Sequence, residues 1–202
     1  WVMGVPSSDQ AWGAKAASGA TACSTTELNC ELMVFDISST TNPTYQTGRD
    51  TSGSAAGVQT LAINSVSVVG DLLLAGKAGS ATACSHTDGS AVGCEFMIFD
   101  IASTTNPNFL TSRDVSGSAA GTGNLNITFV TGTGTTAYVA KAANATACSQ
   151  TAGSALGCEI MAFDITSSTS PTYVRGVDMA GSEVGQQAFQ VNSLHLAGNY
   201  LY

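Results

Sequence analysis

The feature that most constrains this chain is that it repeats itself. Shifting the sequence by 64 residues aligns residues 77–121 with 141–185 without a gap, and over half the positions match. A first copy starts near Lys15; it has one extra residue before its first cysteine and a cysteine loop three residues shorter. Such self-similarity means that each supersecondary unit buries its apolar face against its neighbours rather than alone. The layout is three repeats, at residues 1–62, 63–126 and 127–190, then a partial one at 191–202, with a period of 62–64 residues.

Inside each repeat the pattern is that of strands. ELMVFDI, EFMIFDI and EIMAFDI are short apolar runs, the expectation for strands buried on both faces. A Ser/Thr-rich turn ending in Pro43, Pro107 or Pro171 follows, then PTYQTGRD, PNFLTSRD or PTYVRGVD as the next strand. A Gly/Ser/Ala loop leads to TLAINSVSVVG, NLNITFVTG or FQVNSLHLAG, and a tight turn to DLLLAGKA, TTAYVAKA or NYLY. No segment has helical periodicity. Four strands per repeat predicts an all-β fold of four-stranded antiparallel blades, propeller-type, with roughly 3.5 blades present, although a linear β array has the same local pattern. Closed propellers have roughly four to eight blades, so this count leaves open edges. The expectation is a piece of a longer propeller, the final NYLY resembling the middle of a strand. Two copies completing each other, or a fibre joined through residues 1–5 and 187–202, are the alternatives.

Residues 32–38 with 42–45, 96–102 with 106–109, and 160–166 with 170–173 resemble the LVIVD repeat, a propeller-type repeat of bacterial and archaeal surface proteins. The chain departs from that repeat in its cysteine-bracketed insertion and longer loops. The resemblance implies a fold and a surface setting; it carries over no catalytic residue and no cofactor.

The cysteines come in three local pairs, Cys23-x6-Cys30, Cys84-x9-Cys94 and Cys148-x9-Cys158. A structural zinc site needs four sulfur or nitrogen ligands, whereas the chain has only His86 and His195 beside these pairs. A redox C-x-x-C spacing is absent. The spacing therefore predicts three disulfides, each closing a loop before the apolar run, and an oxidising extracellular or cell-surface location.

Charge is sparse: 10% of residues, 6 basic against 14 acidic, for a net charge of −8. Phosphate recognition needs clustered Lys and Arg, so no nucleic-acid partner is expected, and no apolar run is long enough for a membrane span. Most charges recur with the repeat. Lys15, Lys77 and Lys141 are all the lysines present; Glu31, Glu95 and Glu159 follow the second cysteine of each pair; Asp36, Asp100 and Asp164 sit in the FDI run. Asp50, Asp114 and Asp178 end the next strand, and Arg49 and Arg113 precede two of them. Catalysis needs a unique constellation in which two carboxylates differ in environment. Repetition predicts structural roles instead, with the FDI aspartates capping turns and the lysines pairing with facing carboxylates. Calcium binding at those aspartates, glycoside hydrolysis and a lysine isopeptide crosslink are weaker alternatives. Phe35, Phe99 and Phe163, with Tyr45, Phe109 and Tyr173, read as core packing. The expected function is a non-enzymatic structural or adhesive module of a surface layer, appendage or fibre, without metal or cofactor. Its expected partners are further copies, other surface proteins or glycans. A glycan-binding or glycoside-processing propeller, its site formed in the complete ring, is the alternative.

Overall fold

The computed structural model describes residues 3–4, 9–14, 30–39, 41–49, 51, 62–78, 84, 94–102, 107–115, 126–142, 148, 158–179 and 190–202. Lys15, Cys23, Asp50, His86 and the Gly/Ser/Ala loops between repeats lie outside the described residues. The described residues form fourteen strands and no helix.

The first sheet runs β1 (Met3–Gly4), β2 (Gln10–Ala14), β3 (Leu32–Asp36), β4 (Thr44–Arg49), each strand beside the next. The second repeats this order with β5 (Ile63–Val69), β6 (Leu72–Lys77), β7 (Phe96–Asp100) and β8 (Asn108–Arg113). The third does so with β9 (Ile127–Thr133), β10 (Thr136–Lys141), β11 (Ile160–Asp164) and β12 (Thr172–Val177). A hairpin of β13 (Leu196–Ala197) and β14 (Tyr200–Leu201) follows. All pairings are antiparallel.

Local chemistry sets the register. Gly70, Gly134 and Gly198 open two-residue turns at φ of 57°, 56° and 59°, a left-handed conformation that glycine adopts without a Cβ clash. Each turn thereby fixes one closing pair: Val69 with Leu72, Thr133 with Thr136, and Ala197 with Tyr200. Pro43, Pro107 and Pro171, which lack an N–H, stand immediately before the outer strands β4, β8 and β12. A bulge recurs between the third and outer strands, at Val34/Phe35, Ile98/Phe99 and Ala162/Phe163. It sets Phe35 against Tyr45, Phe99 against Phe109 and Phe163 against Tyr173, edge to face at 5.9, 5.6 and 5.7 Å. Beyond the third strand, the backbone N–H groups of Ser38, Ala102 and Thr166 donate to Oδ1 of Asp36, Asp100 and Asp164 at 2.8, 2.9 and 2.8 Å. These are turn caps, two residues in reach.

The sheets stack face to face. One core lies between the first and second, where Trp12, Leu32 and Val34 meet Leu73, Met97 and Phe99. The other lies between the second and third, where Leu74, Phe96 and Ile98 meet Val130, Val139 and Phe163. The first strands of successive sheets run together, β5 packing on β9 and on β1, with β2 also against it. Asn64 donates across that seam to the Ile127 carbonyl at 2.7 Å, and Thr128 makes the equivalent bond to the Val191 carbonyl of the last hairpin.

The apolar runs depart from the expectation of burial on both faces in the two end sheets, slightly in β3, where Met33 is buried but Phe35 is half-buried, and more in β11. In β7, Phe96 and Ile98 enter one core while Met97 and Phe99 enter the other. In β11, Met161 and Phe163 are buried, but Ile160 and Ala162 are half-buried and Asp164 is exposed. The cause is position in the stack. The second sheet has a neighbour on each face; among the described residues the third has only one.

Candidate functional site

Three arrangements gather the polar side chains of the described residues. The first lies where one sheet meets the next. Lys77 and Lys141 end β6 and β10, and both are fully buried. The Lys77 ammonium donates to the Thr51 carbonyl at 3.1 Å, and the Lys141 ammonium to the Val115 carbonyl at 3.0 Å. Each reaches back 26 residues, into the preceding sheet. The N–H of the same acceptor residue is held by a glutamate of its own sheet: Thr51 N donates to Glu31 at 2.8 Å, and Val115 N to Glu95 at 3.0 Å. The backbone of one residue is thus clasped on both sides, its N–H by a carboxylate from its own sheet and its carbonyl by an ammonium from the next. Glu31, Glu95 and Glu159 are themselves buried.

Burial of a lone ammonium costs several kcal/mol, so these lysines need partners. Desolvation lowers the Lys141 pKa to about 8, against the opposing pull of Glu159, Glu95 and Asp114. Those three carboxylates come from both sheets that meet at Lys141. An outer tie reinforces the junction: Arg49 donates to the Pro107 carbonyl at 2.6 Å, and Arg113 to the Pro171 carbonyl at 3.0 Å. Val177 stands in the equivalent place on β12.

The second arrangement is at the disulfides. Cys84 is bonded to Cys94 and Cys148 to Cys158, with Cα atoms 4.5 and 4.4 Å apart. Cys30 is disulfide-bonded too, and Cys23 lies outside the described residues. The bridges join the ends of the segments between the second and third strands. Cys30, Cys94 and Cys158 are buried, each with a hydroxyl over its sulfur. In the first and third sheets the hydroxyls of Tyr45 and Tyr173 lie 3.9 and 3.8 Å from the sulfur; in the second, Ser112 Oγ donates to Cys94 at 3.0 Å. Burial pushes the Tyr173 pKa up.

Glycine makes room for the tyrosines. A Cβ on Gly48 would sit 2.7 Å from the Tyr45 hydroxyl and 2.8 Å from Cys30 Sγ; on Gly176 it would sit 2.5 Å from the Tyr173 hydroxyl. The second sheet carries Phe109 where the others have tyrosine, and Ser112 where they have glycine. Sequence reasoning placed these aromatics in the core and missed the hydroxyl. The signal was available as a paired exchange, Tyr with Gly against Phe with Ser, at the same two positions of the repeat.

The third arrangement is a groove of about 440 Å³ along the first strands, lined by Val66–Val68, Phe129–Thr133 and Leu194–Leu196. Ser67, Thr131, Thr133 and His195 supply its polar side chains. Its volume falls in the range of small-molecule sites. No family model matches the chain, and no curated protein matches it either. Among the described residues no three His, Cys, Asp or Glu side chains cluster as metal ligands, and no helix is long and apolar enough to cross a membrane.

Hydrogen bonds from Ser38 and Thr166, side chain first and backbone second, hold the Asp36 and Asp164 carboxyls below the usual carboxylate range. These aspartates are committed to turns. The geometry thus brings the lysines and glutamates together at the sheet junctions, and keeps the FDI aspartates apart from them.

Proposed function

We propose that this chain is an extracellular structural or adhesive repeat module, part of a surface layer, appendage or fibre, and not an enzyme. In this reading the sheets are blades of a propeller-type array, as the resemblance to LVIVD repeats implies. The observation that carries it is the clasp at Lys77 and Lys141: buried repeating charges bind sheet to sheet. Disulfide stapling supports the extracellular setting, because thiols stay reduced in the cytosol. Repeated units present similar stapled segments side by side, which favours multivalent contact with copies, surface proteins or glycans.

The test is binding of the purified chain to arrays of glycans and surface proteins, together with assay on chromogenic glycosides. Binding that weakens when residues 85–93 and 149–157 are replaced by Gly/Ser linkers supports the adhesive reading. Turnover that vanishes on changing one acid overturns it. The groove under Leu194–Leu196 favours a second reading, a glycan-binding propeller whose site is completed by the ring. That reading expects glycan binding to be lost with His195→Ala and to survive replacement of the stapled segments.

A further inference from the structure

Glu159 is fully buried, its Oε2 accepts the Met179 N–H, and its Oε1 has no hydrogen-bond partner. A buried carboxylate oxygen left unmatched costs more than an ordinary hydrogen bond is worth, so its position calls for a cause. The equivalent glutamates, Glu31 and Glu95, belong to clasps that a lysine of the following sheet closes. At Glu159 the acceptor half of the same clasp is in place.

The surface around it is also unlike its counterparts. Thr51 and Val115, the clasped residues of the first two sheets, are 5% and 4% exposed; Met179 is 57% exposed. Val174 is 59% exposed, whereas Leu110, its equivalent in the second sheet, packs against the core. The hairpin β13–β14 begins to cover this side in the manner of the earlier sheets. Thr128 bonds to the Val191 carbonyl as Asn64 bonds to that of Ile127, and Leu194 is buried at the place held by Val130.

We propose that the uncovered face of the third sheet seats a fourth four-stranded sheet continuing from β14, and that a lysine one period after Lys141 locks it to Glu159 and the Met179 carbonyl. The occupant is specified by the site. It must carry an ammonium at the end of its second strand, where Lys77 and Lys141 stand, and an apolar face for Val174 and Met179. The Arg-to-Pro tie is missing from this junction, since Val177 replaces the arginine, so the lysine is its principal polar fastening. The proposal does not depend on whether the module is adhesive; failure to bind a glycan leaves it untouched.

The test lengthens the chain after Tyr202 with a copy of residues 139–179, which completes β13–β14 to a full sheet, and compares it with the unlengthened chain. The copied lysine is either kept or replaced by methionine, each with Glu159 intact or as Glu159→Gln. Peroxide oxidation of Met179 reads the docking, with buried Met33, Met97 and Met161 as internal references. With the lysine and Glu159 both present, oxidation of Met179 slows about 14-fold, the ratio of its 57% exposure to the 4% of Val115. Either single replacement raises the rate and lowers the thermal midpoint, and the double replacement adds little more. Met179 oxidising as fast as in the unlengthened chain overturns the proposal. So does equal protection without the lysine. Protection of the unlengthened chain that grows with its concentration would assign the face to a second copy instead.

Discussion

Phe96 and Ile160 hold the same position in the second and third sheets, yet Phe96 is wholly buried and Ile160 is not. The same contrast separates Ile98 from Ala162, Leu110 from Val174, and Val115 from Met179. Over half the positions of residues 77–121 match those of residues 141–185, and the hydrogen-bond registers, bulges and turn caps of the two sheets coincide even where their strand residues differ. Local sequence therefore builds the sheet, while its place in the stack decides which side chains leave water. The lesson is that repeat identity transmits shape but not burial.

The largest expected effect breaks this comparison directly. Phe96→Ala opens a cavity between the second and third sheets and should cost about 3–5 kcal/mol in denaturant unfolding. Ile160→Ala, at the equivalent site, should cost about 1 kcal/mol, because part of that side chain already faces water. Equal losses would mean that the third sheet is covered on both faces in solution, the state that a fourth sheet would produce.

A smaller effect is expected to be the same in both sheets. Cys84–Cys94 and Cys148–Cys158 each close a separation of 10 residues. Restriction of the unfolded chain by loops this short is worth roughly 3 kcal/mol, so replacing either pair by alanine should lower stability by about that amount. Urea titration of the two double variants checks this. A clearly larger loss in the second sheet would show that its bridge acts through packing between two cores rather than through loop closure.

The hydroxyl over the sulfur distinguishes the two sheets more finely. Gly176→Ser in the third sheet drives a side chain into Cys158 and the Tyr173 hydroxyl, and should destabilise by about 2 kcal/mol, as overpacking does. Adding Tyr173→Phe removes the hydroxyl, one of the two obstructions, and recreates the pairing of Phe109 with Ser112, so the double variant should regain part of the loss. Thermal unfolding of the two singles and the double measures that coupling. Additive losses would mean that the backbone of the second sheet, not the hydroxyl exchange, accommodates its serine.

Much of this was legible beforehand. The repeat, the four strands of each sheet, the glycine turns and the aspartate caps follow from alternation and turn chemistry that act within a few residues. The clasp was not legible, because Lys141 meets Val115 across 26 residues and two sheets. A lysine at the end of a strand reads as exposed unless the next layer is known. The one-sided burial of β11 was hidden for the same reason: IMAFD and FMIFD carry the same local pattern. The disulfide hydroxyl lay between these cases, visible only by comparing repeats with one another.

The smallest effect concerns the residue at which the two sheets meet. Lys141 in the folded protein gives up its proton at about 8, below its ordinary value of 10.5, because burial disfavours the ammonium more than Glu159, Glu95 and Asp114 favour it. Between those two values the unfolded chain holds a proton that the folded chain has released. Raising the pH therefore favours the folded state, and stability should climb from pH 8 to pH 9 by at most about 1.4 kcal/mol, the limit for one proton over one pH unit. The neutral amine keeps an N–H for the Val115 carbonyl, so the clasp survives deprotonation. Above pH 10 Tyr173 works the other way: its raised pKa keeps the folded phenol neutral while the unfolded one ionises. Chemical denaturation at pH 8, 9, 10 and 11, with Lys141→Met alongside, separates the two contributions. The variant should lose the rise between pH 8 and 9 and keep the decline above pH 10. A rise that persists in Lys141→Met would move the responsible proton away from the junction and leave the burial of this lysine without a measurable cost.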